Sequence, residues 1–331
     1  MKYKNIMVLT GDELFLIDYF ISSIKKQYID GMEDMNLHKA ETIKGNVEEL
    51  VNFMNTVPFL VEKKVLVIEN CEFLTSKKSL ASDDEKKLIA YINHRIDNNI
   101  MIFNCYNTKL DSRKKLYKEL IKVGSIVNFP KFGINELKSW ITTYLSNNAR
   151  NIKDSDAFYL TEIIGYLDYE SLLNLYDVKN ELNKLIGYTE KDQTISMDDI
   201  NRVVKPSIEN NIFKLVDNIC EGNTNKAYEM VEDMIENSVA APYIFHMIAR
   251  HYRLLLMIVT MEQDGLGQAE MMKSTNLRSY AFHKMRKQIR MAGDLKIREI
   301  YDMCYTYDKR SKIGLLDIET GIKMIISFAK K

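Results

Sequence analysis

"IMVLTGDELFLIDYFISSIKKQY", residues 6–28, decides how the first part of this chain folds. An uncharged run, Ile6–Thr10, meets Gly11 and passes into a stretch where Leu14, Ile17, Ile21 and Ile24 recur at helical spacing. Strand, glycine, helix is the opening of a parallel α/β unit. Thr10 and Glu13 are spaced for a capping box at the helix start.

Junctions of this kind often cradle phosphate. The phosphate loop G-x-x-x-x-G-K-[ST] needs backbone N–H groups, a lysine and a hydroxyl to converge on phosphates and magnesium. Counted from Gly11, its last three positions are Leu16, Ile17 and Asp18, and none carries the required group. Asp12 and Glu13 add negative charge where a triphosphate needs donors. Of an acid pair after a later strand, only Glu69 is present, followed by Asn70. The junction has the shape of a nucleotide site without its chemistry.

Outward from this junction the alternation continues. Strands are expected at "NLHKAET" (36–42), "KVLVIEN" (64–70), "NIMIFNCY" (99–106) and "SIVNF" (125–129). Helices are expected around Val47–Met54 and over "LDSRKKLYKELIKVG" (110–124), and a charged segment, 76–96, leads into the strand at 99–106. Unbroken apolar strands separated by helices imply a parallel sheet covered on both faces. After Pro130 only helical patterns follow, with a second break at Pro206. We expect an α/β domain over 1–131, a small helical domain over 132–205 and a helical domain over 206–331.

Composition narrows the function. Lys+Arg 46 and Asp+Glu 46 cancel, so any nucleic-acid or membrane binding needs a local patch. The four scattered cysteines contain no C-x-x-C pair and fit a reduced, cytosolic chain. "MKYKNIMVLTGDE" does not read as a signal peptide. "APYIFHMIARHYRLLLMIVTM" (241–261) is interrupted by His246, Arg250, His251 and Arg253, which suits a buried helix and not a membrane span. There is no G-x-S-x-G elbow, H-E-x-x-H or Cys/His metal spacing. His246 and His251 stand five apart, wrong for a helical metal pair, and read as satisfied structural histidines. The acid pairs in "SDDEKK" and "MDDI" read as solvated faces or helix caps.

Two features remain. Between a helix and the strand "KVLVIEN" stands the uncharged run Val57-Pro58-Phe59-Leu60-Val61, where a surface turn belongs. Either Phe59 and Val61 pack beneath the turn, or the run presents apolar surface to a partner. There are also two basic groups. One holds Lys109, Arg113, Lys114, Lys115 and Lys118 against Asp111. The other, over 273–298, holds Lys273, Arg278, Lys284, Arg286, Lys287, Arg290, Lys296 and Arg298 against Asp294. Without interleaved aromatics such faces read phosphates and not base sequence, or are simply solvated.

The series "LTGDELFLIDYFI", "NTVPFLVEKKVLVIEN", "KLDSRKKLYKEL", "NELKSWI", "NIFKLVDNICEGNTNKA", "HMIARHYRLLLMI" and "GLLDIETGI" resembles, in order and along nearly the whole chain, the bacterial DNA polymerase III delta subunit family. The resemblance implies an AAA+/RecA-like α/β domain with a degenerate nucleotide site, a small helical lid, and a helical collar that assembles the clamp loader. It implies a subunit with no catalytic site, metal or cofactor, because partner subunits bind and hydrolyse the ATP. The nucleotidyltransferase activity of the holoenzyme, DNA-directed DNA polymerase, belongs to another subunit. The implied partners are the ring-shaped sliding clamp (beta subunit), which this subunit binds and opens, and the other loader subunits of a hetero-pentamer. Primer–template DNA is met only within that complex, in the cytoplasm and away from membranes. By position the clamp-contacting residues are Pro58, Phe59 and Leu60, with Val57 beside them. Lys109, Arg113, Lys114 and Lys115 are candidates for DNA contact, and Arg250 and Arg253 for subunit contact. The rival readings are an active AAA+ ATPase, opposed by positions 16–18, and a nucleic-acid-binding replication or repair protein, opposed by the neutral charge.

Overall fold

The computed structural model describes residues 4–43, 45–94, 99–168, 171–277 and 279–328. They form two compact units, the first over 1–140 and 173–183, the second over 141–172 and 184–331. Residues 132–205 contribute to both.

In the first unit five strands line up in parallel: β1 (Ile6–Gly11), β2 (Leu37–Ala40), β3 (Val65–Ile68), β4 (Ile100–Tyr106) and β5 (Ser125–Asn128). Their order across the sheet is β2-β3-β4-β1-β5. Between them run α1 (Leu14–Tyr28), a single turn α2 (Glu33–Asn36), α3 (Val47–Asn55), α4 (Ser82–His94) and α5 (Lys115–Val123). Side chains alternate across a strand, so both faces must be apolar for a sheet covered twice. Ile6, Val8, Leu66, Ile68, Met101 and Phe103 pack with Val47, Leu50, Met54, Leu88, Ile92, Leu116 and Leu120. Met7, Leu9, Val65, Val67, Ile100 and Ile102 pack on the other face with Ile17, Ile21 and Ile24 of α1.

At the first junction the expected capping box does not form. β1 continues through Gly11, so Thr10 is still a strand residue, and its hydroxyl donates to Asn128 Oδ1 at 3.1 Å. The helix cap is Glu13 itself. Gly11 has φ +115°, and a Cβ there would stand 2.1 Å from the Phe129 carbonyl oxygen, so only glycine passes.

The second unit is helical, apart from a two-strand ladder of β6 (Asn151–Ile152) with β7 (Thr194–Ile195). After β5 the chain runs through α6 (Ile134–Asn147), α7 (Asp154–Ile163), α8 (Leu175–Tyr188) and α9 (Met197–Val203), and α13 (Gln268–Thr275) comes later. The core of the second unit joins α10 (Ile208–Glu221), α11 (Thr224–Glu236), α12 (Ala241–Gln263), α14 (Ser279–Ala292), α15 (Asp294–Lys312) and α16 (Ile318–Phe328) around Val216, Ile248, Leu255, Phe282, Ile300 and Ile325. The "MDDI" acids do cap a helix: Ser196 and Asp199 close a capping box on Met197–Val203. α12 is long and apolar enough to cross a membrane, yet Ile244, Ile248, Tyr252, Leu255 and Ile258 are buried in this core.

On α12 the two histidines differ. His246 is exposed, outside the buried stripe, so the reading as a satisfied structural histidine fits His251 and not His246. His251 is buried, its Nε2 2.7 Å from Gln288 Oε1, while the Gln288 amide donates to the Phe213 carbonyl and to Asp217. That oxygen can only accept, so His251 carries its proton on Nε2. Burial pushes its pKa down to about 4, which keeps it neutral. The four cysteines are free thiols, and burial pushes Cys220 and Cys304 up to about 12.

Candidate functional site

The loop leaving α3 is tied at its base and bare at its tip. Thr56 closes the helix, its hydroxyl donating to the Phe53 carbonyl at 2.7 Å. Buried Asn99 bridges both ends of the loop: its amide donates to the Met54 carbonyl, and its oxygen accepts the Lys64 N–H at 2.9 Å. The Lys64 ammonium donates to the Thr56 hydroxyl and lies 4.5 Å from the centre of the Phe53 ring. Burial lowers the Lys64 pKa.

Beyond this base the apolar residues face outward. Val57 is 86% exposed, Phe59 51% and Leu60 76%, with Pro58 half-buried between them. Leu60 adopts φ +57°, a left-handed conformation that branched or bulky residues rarely take. Val61 turns back and packs against the α1 face of the sheet. Of the two open readings, packing beneath the turn holds for Val61 and outward presentation for Phe59. Met32 and Met35, flanking and within α2, are exposed as well. The tip holds no acid, base or nucleophile, so what it offers is apolar contact area.

At the phosphate-loop junction the opposite has happened. Glu13 is fully buried, and its Oε1 accepts the N–H of Phe15 at 3.1 Å and of Leu175 at 3.0 Å. Leu175 opens α8 (Leu175–Tyr188), so one carboxyl oxygen serves the first turns of two helices. Helix N-termini attract anions, and here the anion is a side chain of the chain itself. The Phe15 ring packs edge-on against Trp140 (5.6 Å between centroids) and Tyr176 (5.0 Å). The Tyr176 hydroxyl donates to Asp18 at 2.9 Å, and burial, helped by that carboxylate, raises its pKa to about 12. Glu69 accepts from the Asn104 amide at 2.7 Å.

The basic residues separate by environment. Arg113 grips Asp111 with Nε and Nη2, at 2.9 and 2.8 Å, and holds that carboxyl well below the usual carboxylate range. The Lys114 ammonium donates to the carbonyls of Phe73 (2.7 Å) and Lys78 and to the Ser79 hydroxyl (3.1 Å). Lys109 and Lys115 are exposed, and Lys109 lines an open cleft with Lys78, Asp111 and Arg113. In the second basic group, Arg286 pairs with Glu262 at 2.7 Å and Arg298 donates to Gln263, while Lys273, Lys287 and Arg290 are exposed. Arg278 lies outside the described residues. Arg250 stands 3.7 Å from Glu209, both largely buried, and Arg253 is exposed. Among the described residues no group of His, Cys, Asp and Glu could hold a metal ion.

Two family models match. "DNA polymerase III, delta subunit" covers residues 7–130, and "DNA polymerase III delta subunit, C-terminal domain" covers 209–328. The chain belongs to the DNA polymerase III delta subunit family. A Bacillus subtilis DNA polymerase III subunit delta is 22% identical over 321 residues, 96% of this chain and 90% of its own length. An Aquifex aeolicus relative is 23% identical over 283 residues, 83% of this chain and 77% of its own. Among solved structures, a Bacillus subtilis DNA clamp loader delta protein aligns over 99% of this chain and 96% of its own, with a TM-score of 0.64 at 21% identity. That likeness supports the α/β plus all-α fold. The family is that of the clamp loader in DNA replication.

Sequence reasoning passed over Asn36 and Asn99, and read Glu13 as half of a capping box and as a charge opposing a triphosphate, not as the group that serves two helix starts. For Glu13 a signal existed, an acid at the first turn of a helix whose phosphate loop is missing. The asparagines gave none, since each acts on backbone far along the chain.

Proposed function

We propose that this delta-family chain binds the sliding clamp and opens its ring for loading onto primed DNA, without using ATP itself. The observation that carries the reading is a half-exposed Phe59, flanked by exposed Val57 and Leu60, on a loop whose backbone is held at its base. Soluble domains seldom leave such side chains out together without a partner for them. Phe59 enters an apolar pocket of the clamp as the anchor, Val57 and Leu60 widen the contact, and Pro58 shapes the turn. Full burial of a phenylalanine is worth about 1.5–3 kcal/mol, which is the scale of an interface hot spot.

The filled junction supports the second half of the reading. The backbone N–H groups of Phe15 and Leu175, which could have donated to a phosphate, are taken by the Glu13 carboxylate, and no lysine stands at the phosphate-loop position. Nucleotide binding and hydrolysis therefore belong to partner subunits, and polymerase activity to another subunit of the holoenzyme. Residues 1–131 act as the clamp-binding domain, 132–205 as the lid and 206–331 as the collar of a hetero-pentamer, in which exposed Arg253, and Arg250 through its pairing, meet neighbours. Exposed Lys109, Arg113 and Lys115, with Lys114 beside them, face primer–template DNA only inside that assembly. The complex works in the cytoplasm.

The direct test is a pull-down with the cognate clamp. Wild-type protein is retained and Phe59→Ala is not; equal retention removes the clamp-binding reading.

A further inference from the structure

Phe59 is held at two points by one side chain. The Asn36 oxygen accepts the Phe59 N–H at 2.8 Å, and the Asn36 amide donates to the Phe59 carbonyl at 3.0 Å. The same amide donates to the Met32 carbonyl at 3.0 Å, closing the turn that carries Asn36. Asn36 is fully buried although it sits at the end of a four-residue helix. Of the side chains this short, only an asparagine presents an acceptor and two donors on one rigid plane. Aspartate lacks the donors and would set its second oxygen against two carbonyl oxygens. Alanine removes all three contacts.

We infer that Asn36 is the positioning residue of the clamp-binding tip: it grips the Phe59 backbone so that the ring stands outward before the partner arrives. The inference rests on the clamp-binding reading above. The backbone grip fixes the one residue whose side chain must stay free. The next residue, Leu60, then reverses direction through its left-handed conformation, which leaves both side chains outside. A tip ordered in advance loses less conformational freedom on binding. Removing the grip leaves Phe59 in place chemically and lets it wander.

The test is a double-mutant cycle in clamp affinity, with wild type, Asn36→Ala, Phe59→Ala and the double variant. Asn36→Ala is expected to weaken binding roughly tenfold, a loss on the scale of ordering one or two loop residues. In the Phe59→Ala background the same change is expected to do almost nothing, because Asn36 acts through Phe59. A residue that merely stabilised the domain would lower the melting temperature equally in both backgrounds and leave the affinity of folded protein alone. Full affinity for Asn36→Ala beside a weak Phe59→Ala, or equal losses in both backgrounds, overturns this inference and leaves the clamp reading standing. Full affinity for Phe59→Ala overturns both. If Asn36→Ala does not fold, amide exchange in the wild-type protein decides. The Phe59 N–H is expected to exchange far more slowly than an open loop amide, and unprotected exchange overturns the inference.

Discussion

Two turns in the α/β unit each rest on one buried polar side chain: Glu13 beneath the entry to α1, and Asn36 beneath the loop after α3. Both satisfy backbone groups that water would otherwise have to reach. Glu13 is buried with one oxygen shared between two helix starts. Asn36 is buried as well, but grips the backbone from behind and leaves the side chains on the other side bare. The same device thus shuts one site and holds another open. Within one unit, a filled junction and an exposed apolar loop are distinguished by which side of the backbone the polar group occupies.

The comparison breaks most visibly at Gly11. A methyl group there meets the Phe129 carbonyl oxygen, and the backbone is already in a conformation that L-residues avoid. Gly11→Ala is expected to cost about 3–5 kcal/mol of stability, from strain and overpacking together. Denaturant unfolding reads this as a large fall in midpoint. An unchanged midpoint would mean that β1 and the segment after β5 are not closed on each other as described.

At the tip the expected effect is as specific but lies in binding and not in folding. Phe59→Ala is expected to cost about 2–4 kcal/mol in clamp affinity, the range of hot-spot truncations. Its own stability should move by no more than about 0.5 kcal/mol, because the ring is half in water already. Titration calorimetry and thermal melts on one preparation separate the two quantities. A variant that melts early and still binds would place Phe59 in the core after all.

How much of this was legible follows from the range of each signal. The strands could be read because both faces of the sheet are buried, so Val65-Leu66-Val67-Ile68 and Ile100-Met101-Ile102-Phe103 appear as uninterrupted apolar runs. The loss of the phosphate loop could be read from Leu16, Ile17 and Asp18 alone. What filled the space could not, because Glu13 meets Leu175 across 162 positions of sequence. The Thr10 capping box misled because spacing cannot show that a strand runs one residue further. Lys114 looked like a surface charge because its carbonyl partners at Phe73 and Lys78 carry no side-chain signature. Asn36 was invisible for the same reason: its partner is the backbone of Phe59, 23 residues away.

Glu13→Ala sharpens the comparison from the closed side. The change leaves the N–H groups of Phe15 and Leu175 without their acceptor, and an unsatisfied buried donor costs about 1–3 kcal/mol. The melting temperature is expected to fall accordingly. ATP binding is not expected to appear, because removing an anion supplies neither the lysine nor the hydroxyl that phosphates and magnesium require. Nucleotide binding measured by fluorescence on the purified variant checks this. A gain of affinity would show that one carboxyl group alone keeps the pocket shut.

The smallest effect is the most discriminating, since it has opposite signs in the two measurements. Leu60 holds φ +57°, which costs a leucine roughly 1–2 kcal/mol and a glycine almost nothing. Leu60→Gly therefore relieves strain in the folded state, while the greater freedom of glycine in the unfolded chain offsets part of the gain. Stability is expected to rise by about 0.5 kcal/mol or stay level. Clamp affinity is expected to fall, because an exposed apolar side chain leaves the contact and the tip loses stiffness beside Phe59. A natural loop optimised for folding would carry glycine at this position. That leucine is tolerated there, at a cost in backbone energy, is what one expects of a residue kept for its outward face. If Leu60→Gly binds the clamp as tightly as wild type and melts higher, the strain has no binding role and the tip narrows to Phe59 and Val57.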